Sequence, residues 1–260
     1  AYGVNLKVVD VLFDGEQNAA QDAKLVEALQ SGNSQTPNSK APTVISQLFA
    51  LSPEAQVKSG LLAGAMETGT TATAANTTCP ASSTQAFGYM AAAPAFAQSS
   101  QAVGHITPVV DPDGNIRRVP AVVCFDGKAY PALAVAGLSA ATGAQPVVKA
   151  APGLMQSGQV LDVGGLQIPI DGKGQLRVSY QMPRAGFVSV SAVDVIQGKV
   201  PAPMLKGAWA LVGSTAFGGG DAVPTPQGGA VGGVEVHAQI LSAALDGRTP
   251  YTPAWAPLWP

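Results

Sequence analysis

Residues 6–13 read Leu-Lys-Val-Val-Asp-Val-Leu-Phe, an almost unbroken apolar run rich in β-branched side chains. Such a run suits a strand covered on both faces. A strand of that kind needs helices above and below its sheet, which points to an α/β architecture. The next segment agrees. Asp14-Gly15 breaks the run, Asn18 is placed to cap a helix, and Ala23, Val26 and Leu29 recur at helical spacing before Gly32. The same alternation returns near the end of the chain. Residues 206–214 predict a second buried strand, a glycine-rich loop follows, and residues 233–245 predict a helix with Val234, Ala238, Leu241 and Leu245 on one stripe and Gly247 behind it.

Between these ends the pattern changes to hairpins. Asp111-Pro-Asp-Gly and Asp126-Gly127 supply turns between strand-like runs, and Asp171-Gly-Lys-Gly turns the chain again. Residues 43–49 predict a short strand, residues 133–142 a helix stopped by Gly143, and residues 190–197 a helix stopped by Gly198. Residues 60–100, rich in Ala, Thr, Ser and Gly, predict loops and poorly defined helix. The expected fold class is α/β: a mixed β-sheet flanked by helices, with antiparallel hairpins in the middle of the chain. One domain over 1–250 is expected, with a tail over 251–260.

Charge narrows the function. A net charge of -2 and only 12% charged residues leave no electrostatic footprint for nucleic acid or an anionic membrane surface. No window is long and apolar enough for a membrane span, although Trp255, Leu258 and Trp259 suit the border of one. Catalytic constellations are missing. His105 and His237 belong to no G-x-S-x-G, H-E-x-x-H or Cys/His signature. The loop from Gly218 has no Gly-Lys-Ser/Thr, and its prolines remove amides that a phosphate cradle needs. Asp111, Asp113 and Asn115 match the start of a calcium loop, but Val122 stands where its bidentate Glu belongs, so a tight turn explains them better. Arg117 and Arg118 are adjacent, and in a strand they are expected on opposite faces, where both cannot line one pocket. Neither a cofactor nor a metal is expected.

The ordered blocks together resemble the CHASE2 family. They are Val8-Val-Asp-Val-Leu-Phe with the helix from Gln21; Gly104-His-Ile-Thr-Pro through Arg117-Arg-Val-Pro; Tyr130-Pro-Ala-Leu-Ala; Ile168-Pro-Ile-Asp-Gly; Ser189-Val-Ser-Ala-Val-Asp; and Val212-Gly-Ser-Thr-Ala through Asp221, Thr225-Pro226 and Gly233-Val-Glu-Val-His-Ala. The resemblance covers most of the chain. It implies a sensory domain on the periplasmic, extracytoplasmic side of the bacterial inner membrane, not itself an enzyme. It would belong to a receptor whose cytoplasmic output is a nucleotide cyclase, a kinase or a cyclic di-nucleotide enzyme. Its partners would be an unidentified small-molecule or protein stimulus and a second copy in the full-length receptor. The membrane would be met only through flanking helices, one following residues 251–260. The family usually carries a strand and helix ahead of the first block, so one sheet edge or groove is expected to lie uncovered. The rival readings are a periplasmic α/β enzyme and a ligand-free spacer.

Cys79 and Cys124 have no metal or redox spacing, and in an oxidising compartment they permit one disulfide; two buried thiols are the alternative. Ligand sites in open α/β sheets lie where strands give way to helices. That rule nominates Asp10, Asp14, Ser214, Thr215 and Asp221, with His237 behind them. Asp10 is a carboxylate in a strand that otherwise reads as buried, so it needs a partner. The competing reading is that Asp221 and Thr225 only fasten their loop.

Overall fold

The computed structural model describes residues 3–16, 18–31, 41–66, 79–151, 153, 155–214 and 222–256. The chain opens with β1 (Leu6–Asp10), α1 (Ala19–Gln30) and β2 (Thr43–Ala50). Asn18 caps α1: its side-chain oxygen accepts from the amides of Ala20 and Gln21, and its own N–H donates to Asp22. The Ala- and Thr-rich stretch holds more order than its composition predicts. After β3 (Lys58–Ser59), its described residues form β4 (Thr84–Gln85), β5 (Gly88–Met90) and α2 (Pro94–Ser99), which leads to β6 (Ala102–His105).

The middle of the chain runs through β7 (Val109–Val110), β8 (Ile116–Pro120), β9 (Val122–Phe125) and β10 (Lys128–Pro131) into α3 (Leu133–Thr142). The helix α3 ends on Gly143 with φ 70°, in the left-handed region that glycine adopts without steric cost. Next come β11 (Pro146–Ala151), β12 (Gly158–Val163), β13 (Leu166–Ile170) and β14 (Gln175–Arg177). The helices α4 (Ala192–Ile196) and α5 (Ala202–Leu205) precede β15 (Trp209–Gly213), the hairpin β16 (Ala222–Pro224) and β17 (Ala230–Gly232), and α6 (Gly233–Leu245).

The fold is α/β, with parallel and antiparallel strands. The strands β15, β1, β2 and β6 lie side by side and parallel, and β5 joins β2 antiparallel. The two apolar runs at the ends of the chain are thus direct neighbours, Leu6 opposite Trp209 through Asp10 opposite Gly213. The hairpins of the middle do not extend this sheet. They form separate small antiparallel sheets, β11-β12-β13 and β14-β8-β7, while β10-β9-β4 mixes both directions.

Helices cover both faces of the parallel sheet. On one face α3 packs on Leu6, Val8 and Val44 through Leu133 and Ala136. On the other, Ile45 and Val103 meet Leu29 of α1 and Phe96 of α2. Coverage is less even than the continuous apolar run predicts: Leu6, Val8 and Asp10 are buried, whereas Lys7 and Val9 are half-buried. The largest core joins α3 and α6 to the hairpins, through Leu138, Ile240 and Leu241 against Leu161, Ile168 and Leu176.

Cys79 and Cys124 are bonded, with Cα atoms 5.6 Å apart. The bond fastens the chain at residue 79 to the strand β9, where Cys124 pairs with Gln85 on one side and Ala129 on the other.

Candidate functional site

The parallel sheet places four residues in one row at its carboxyl end. Gly213 is opposite Asp10, Ser46 follows the Val9–Ile45 pair, and Gly104 is opposite Ser46. Alternation puts Asp10 and Ser46 on the same face as Val8 and Val44, beneath α3 and α6. The two glycines in the row explain how the helices come so close. A Cβ on Gly104 would lie 2.6 Å from the Leu133 Cα, and one on Gly213 would lie 2.5 Å from the Val234 Cβ. Both helix starts therefore touch the sheet on either side of Asp10. Asp10 is buried, and so is Ser46.

The remaining predicted site residues do not all converge there. Asp14 is exposed and follows Phe13, which packs on Phe96 of α2 in the opposite layer at 5.8 Å between ring centroids. Ser214 is exposed directly after β15. Thr215 and Asp221 lie outside the described residues. His237 is buried in α6, and its Nδ1 has no hydrogen-bond partner among the described residues. Burial pushes the His237 pKa down to about 4. His105, at the end of β6, is also fully buried, edge-on to Phe49. Burial pushes its pKa down to about 3, the charge of His237 adds to that push, and the Pro120 carbonyl opposes it. Both imidazoles are therefore neutral at physiological pH.

Sequence reasoning missed Gln47. This buried side chain holds the loop carrying Ala63, donating to its carbonyl at 3.1 Å and accepting from its amide. An apolar run gives no local sign of which polar member will find such a partner.

The expectation for Arg117 and Arg118 is corrected. Both reach Asp111, Arg117 at 2.9 Å to one carboxylate oxygen and Arg118 at 2.9 Å to the other, and both line one open groove. Strand alternation fixes only the Cβ direction, and a long arginine side chain reaches around the short strand to a shared acid. Asp113 accepts from Arg117 at 2.7 Å and from Asn115, which holds its carboxyl well below the usual range. The Asp111–Asn115 segment is thus a turn locked by arginines: the Gly114 amide donates to the Asp111 carbonyl. Among the described residues no three His, Cys, Asp or Glu side chains cluster as metal ligands.

The class this defines is a three-layered α/β domain with two buried neutral histidines and one disulfide. The family model for the CHASE2 domain matches residues 1–260, the whole chain, and the chain belongs to that family of extracytoplasmic sensory domains found in receptors. Neither a search of curated proteins nor a search of solved structures found a match.

Proposed function

We propose that the chain is the signal-sensing domain of a bacterial membrane-bound receptor, and that on the outer face of the cytoplasmic membrane it binds a stimulus and regulates a cytoplasmic cyclase, kinase or cyclic di-nucleotide enzyme. The observation that carries this reading is the CHASE2 match over the whole length. The Cys79–Cys124 bond supports the compartment, because such bonds persist where the surroundings are oxidising. Among the described residues no helix is long and apolar enough to cross a membrane.

Placement is tested in the full-length protein. Lys24 is exposed on α1. A Lys24→Cys variant, its native cysteines already bonded, reacts with a membrane-impermeant maleimide in intact cells whose outer membrane has been opened. Labelling that requires lysis of the inner membrane overturns the reading.

A further inference from the structure

Two open grooves, of about 240 and about 390 Å³, meet at Ser179. The larger is lined by Arg117, Arg118, Arg177, Ser179, Tyr180 and Pro226, and its size suits a small molecule. Three guanidinium groups on one groove is a costly arrangement. Arg118 and Arg177 are directly opposite on the paired strands β8 and β14, where like charges repel.

The acids that offset this charge are unevenly distributed. Asp111 accepts from both Arg117 and Arg118, Asp113 from Arg117, and Asp171 lies 3.8 Å from Arg118 Nε. Among the described residues Arg177 has no carboxylate partner; its guanidinium donates to the neutral Thr252 hydroxyl at 3.1 Å. The acids therefore hold Arg117 and Arg118 in position, and among the described residues none sits on Arg177.

Two further features mark the same place. The Ser179 Oγ is buried and has no hydrogen-bond partner among the described residues. Tyr180 has φ 48°, a strained conformation for an aromatic residue, kept in place by its hydroxyl donating to the Ile116 carbonyl at 2.6 Å and by Gln227 donating to its own carbonyl.

Building on the sensor reading, we propose that this groove binds a small organic or inorganic oxyanion, a carboxylate or a phosphate, held chiefly by Arg118 and Arg177. Guanidinium forks bind such groups through paired, charge-assisted hydrogen bonds. The anion removes the repulsion between the two opposed arginines. It also has a route outward. Arg177 touches Thr252 in the C-terminal segment, and the buried Gln239 clamps Met182 to α6 by accepting from its amide and donating to its carbonyl. Occupancy of the groove changes the partner of Arg177 and so the hold on that segment.

The test is isothermal titration of the protein with citrate, succinate and inorganic phosphate at about 150 mM salt, where unspecific surface attraction is screened. At least one is expected to bind with a sub-millimolar Kd. Arg177→Gln and Arg118→Gln each weaken that binding about tenfold or more, Arg177→Lys weakens it less, and the distant Lys149→Gln leaves it unchanged, with far-UV circular dichroism reporting the fold of each variant. Whether citrate and succinate or phosphate binds identifies the anion. No binding of any of the three up to about 10 mM overturns the proposal, as does unchanged binding in folded Arg177→Gln. If Arg177→Gln fails to fold, Arg177→Lys decides: unchanged affinity there overturns the assignment. Failure here with external labelling of Lys24→Cys removes the groove and leaves the sensor reading intact; anion binding with internal labelling does the reverse.

Discussion

Reducing the Cys79–Cys124 bond gives the most direct stability experiment. The bond closes a loop of 45 residues. Opening it restores freedom to the unfolded chain worth about 13 cal/mol/K, or about 4 kcal/mol at 25 °C on the chain-entropy argument. A chain of 260 residues unfolds with an entropy of about 0.55 kcal/mol/K near its midpoint. The expected fall in Tm is therefore about 7 °C, an upper figure wherever the reduced unfolded chain stays compact. The effect acts through the unfolded state, so a Cys79→Ala/Cys124→Ala pair and chemical reduction of the native protein are expected to lower Tm by similar amounts. Differential scanning calorimetry with and without a phosphine reductant measures it, and thiol titration of the denatured, unreduced protein confirms the starting state. Equal melting of the oxidised and reduced proteins to within about 1 °C refutes the reasoning, as does a titration that finds two free thiols.

Three other outcomes are expected. Gly104→Ala and Gly213→Ala each destabilise by about 2 kcal/mol in urea unfolding, because the new methyl meets helix α3 or α6 at 2.5 to 2.6 Å. Gly15→Ala, with nothing within 4 Å, changes stability by less than about 0.5 kcal/mol. Stability falls with acid: His105 and His237 resist protonation when folded, down to about 3 and about 4, but accept it near 6.5 when unfolded. The loss begins as the pH drops through the unfolded value and reaches about 1.4 kcal/mol per pH unit for each histidine until the folded values are met. Equal urea midpoints at pH 7 and pH 5 contradict this, and His237→Gln is expected to reduce the slope. Finally, Asp221→Ala and Ser214→Ala are expected to lower ligand-dependent output of the full-length receptor while leaving the domain folded. Normal signalling by both, or unfolding by both, makes these residues structural.

The sequence alone determined the elements whose cause is local. Asn18 capping α1, Gly143 closing α3, the turn at Asp111–Asn115 and the apolar runs of β1 and β15 are all legible, because capping, left-handed φ and β-branching act within a few residues. Two apolar runs that each feed into a helix are expected to be neighbouring or nearby parallel strands, and β1 and β15 pair directly. Only the tertiary structure decided the rest. The short strands β3 to β5 have no hydrophobic period of their own and exist because β2 and β9 offer edges to pair with. Gly104 and Gly213 look like ordinary strand glycines until two helices land on them. Of the predicted site residues that are described, Asp10 and His237 are buried while Asp14 and Ser214 are exposed, since loop positions after a strand are free to turn away from it. The groove at Ser179 gathers Arg117, Arg118 and Arg177 from strands that sequence separates by about sixty residues, and no local pattern encodes which long side chains a pairing register will bring together.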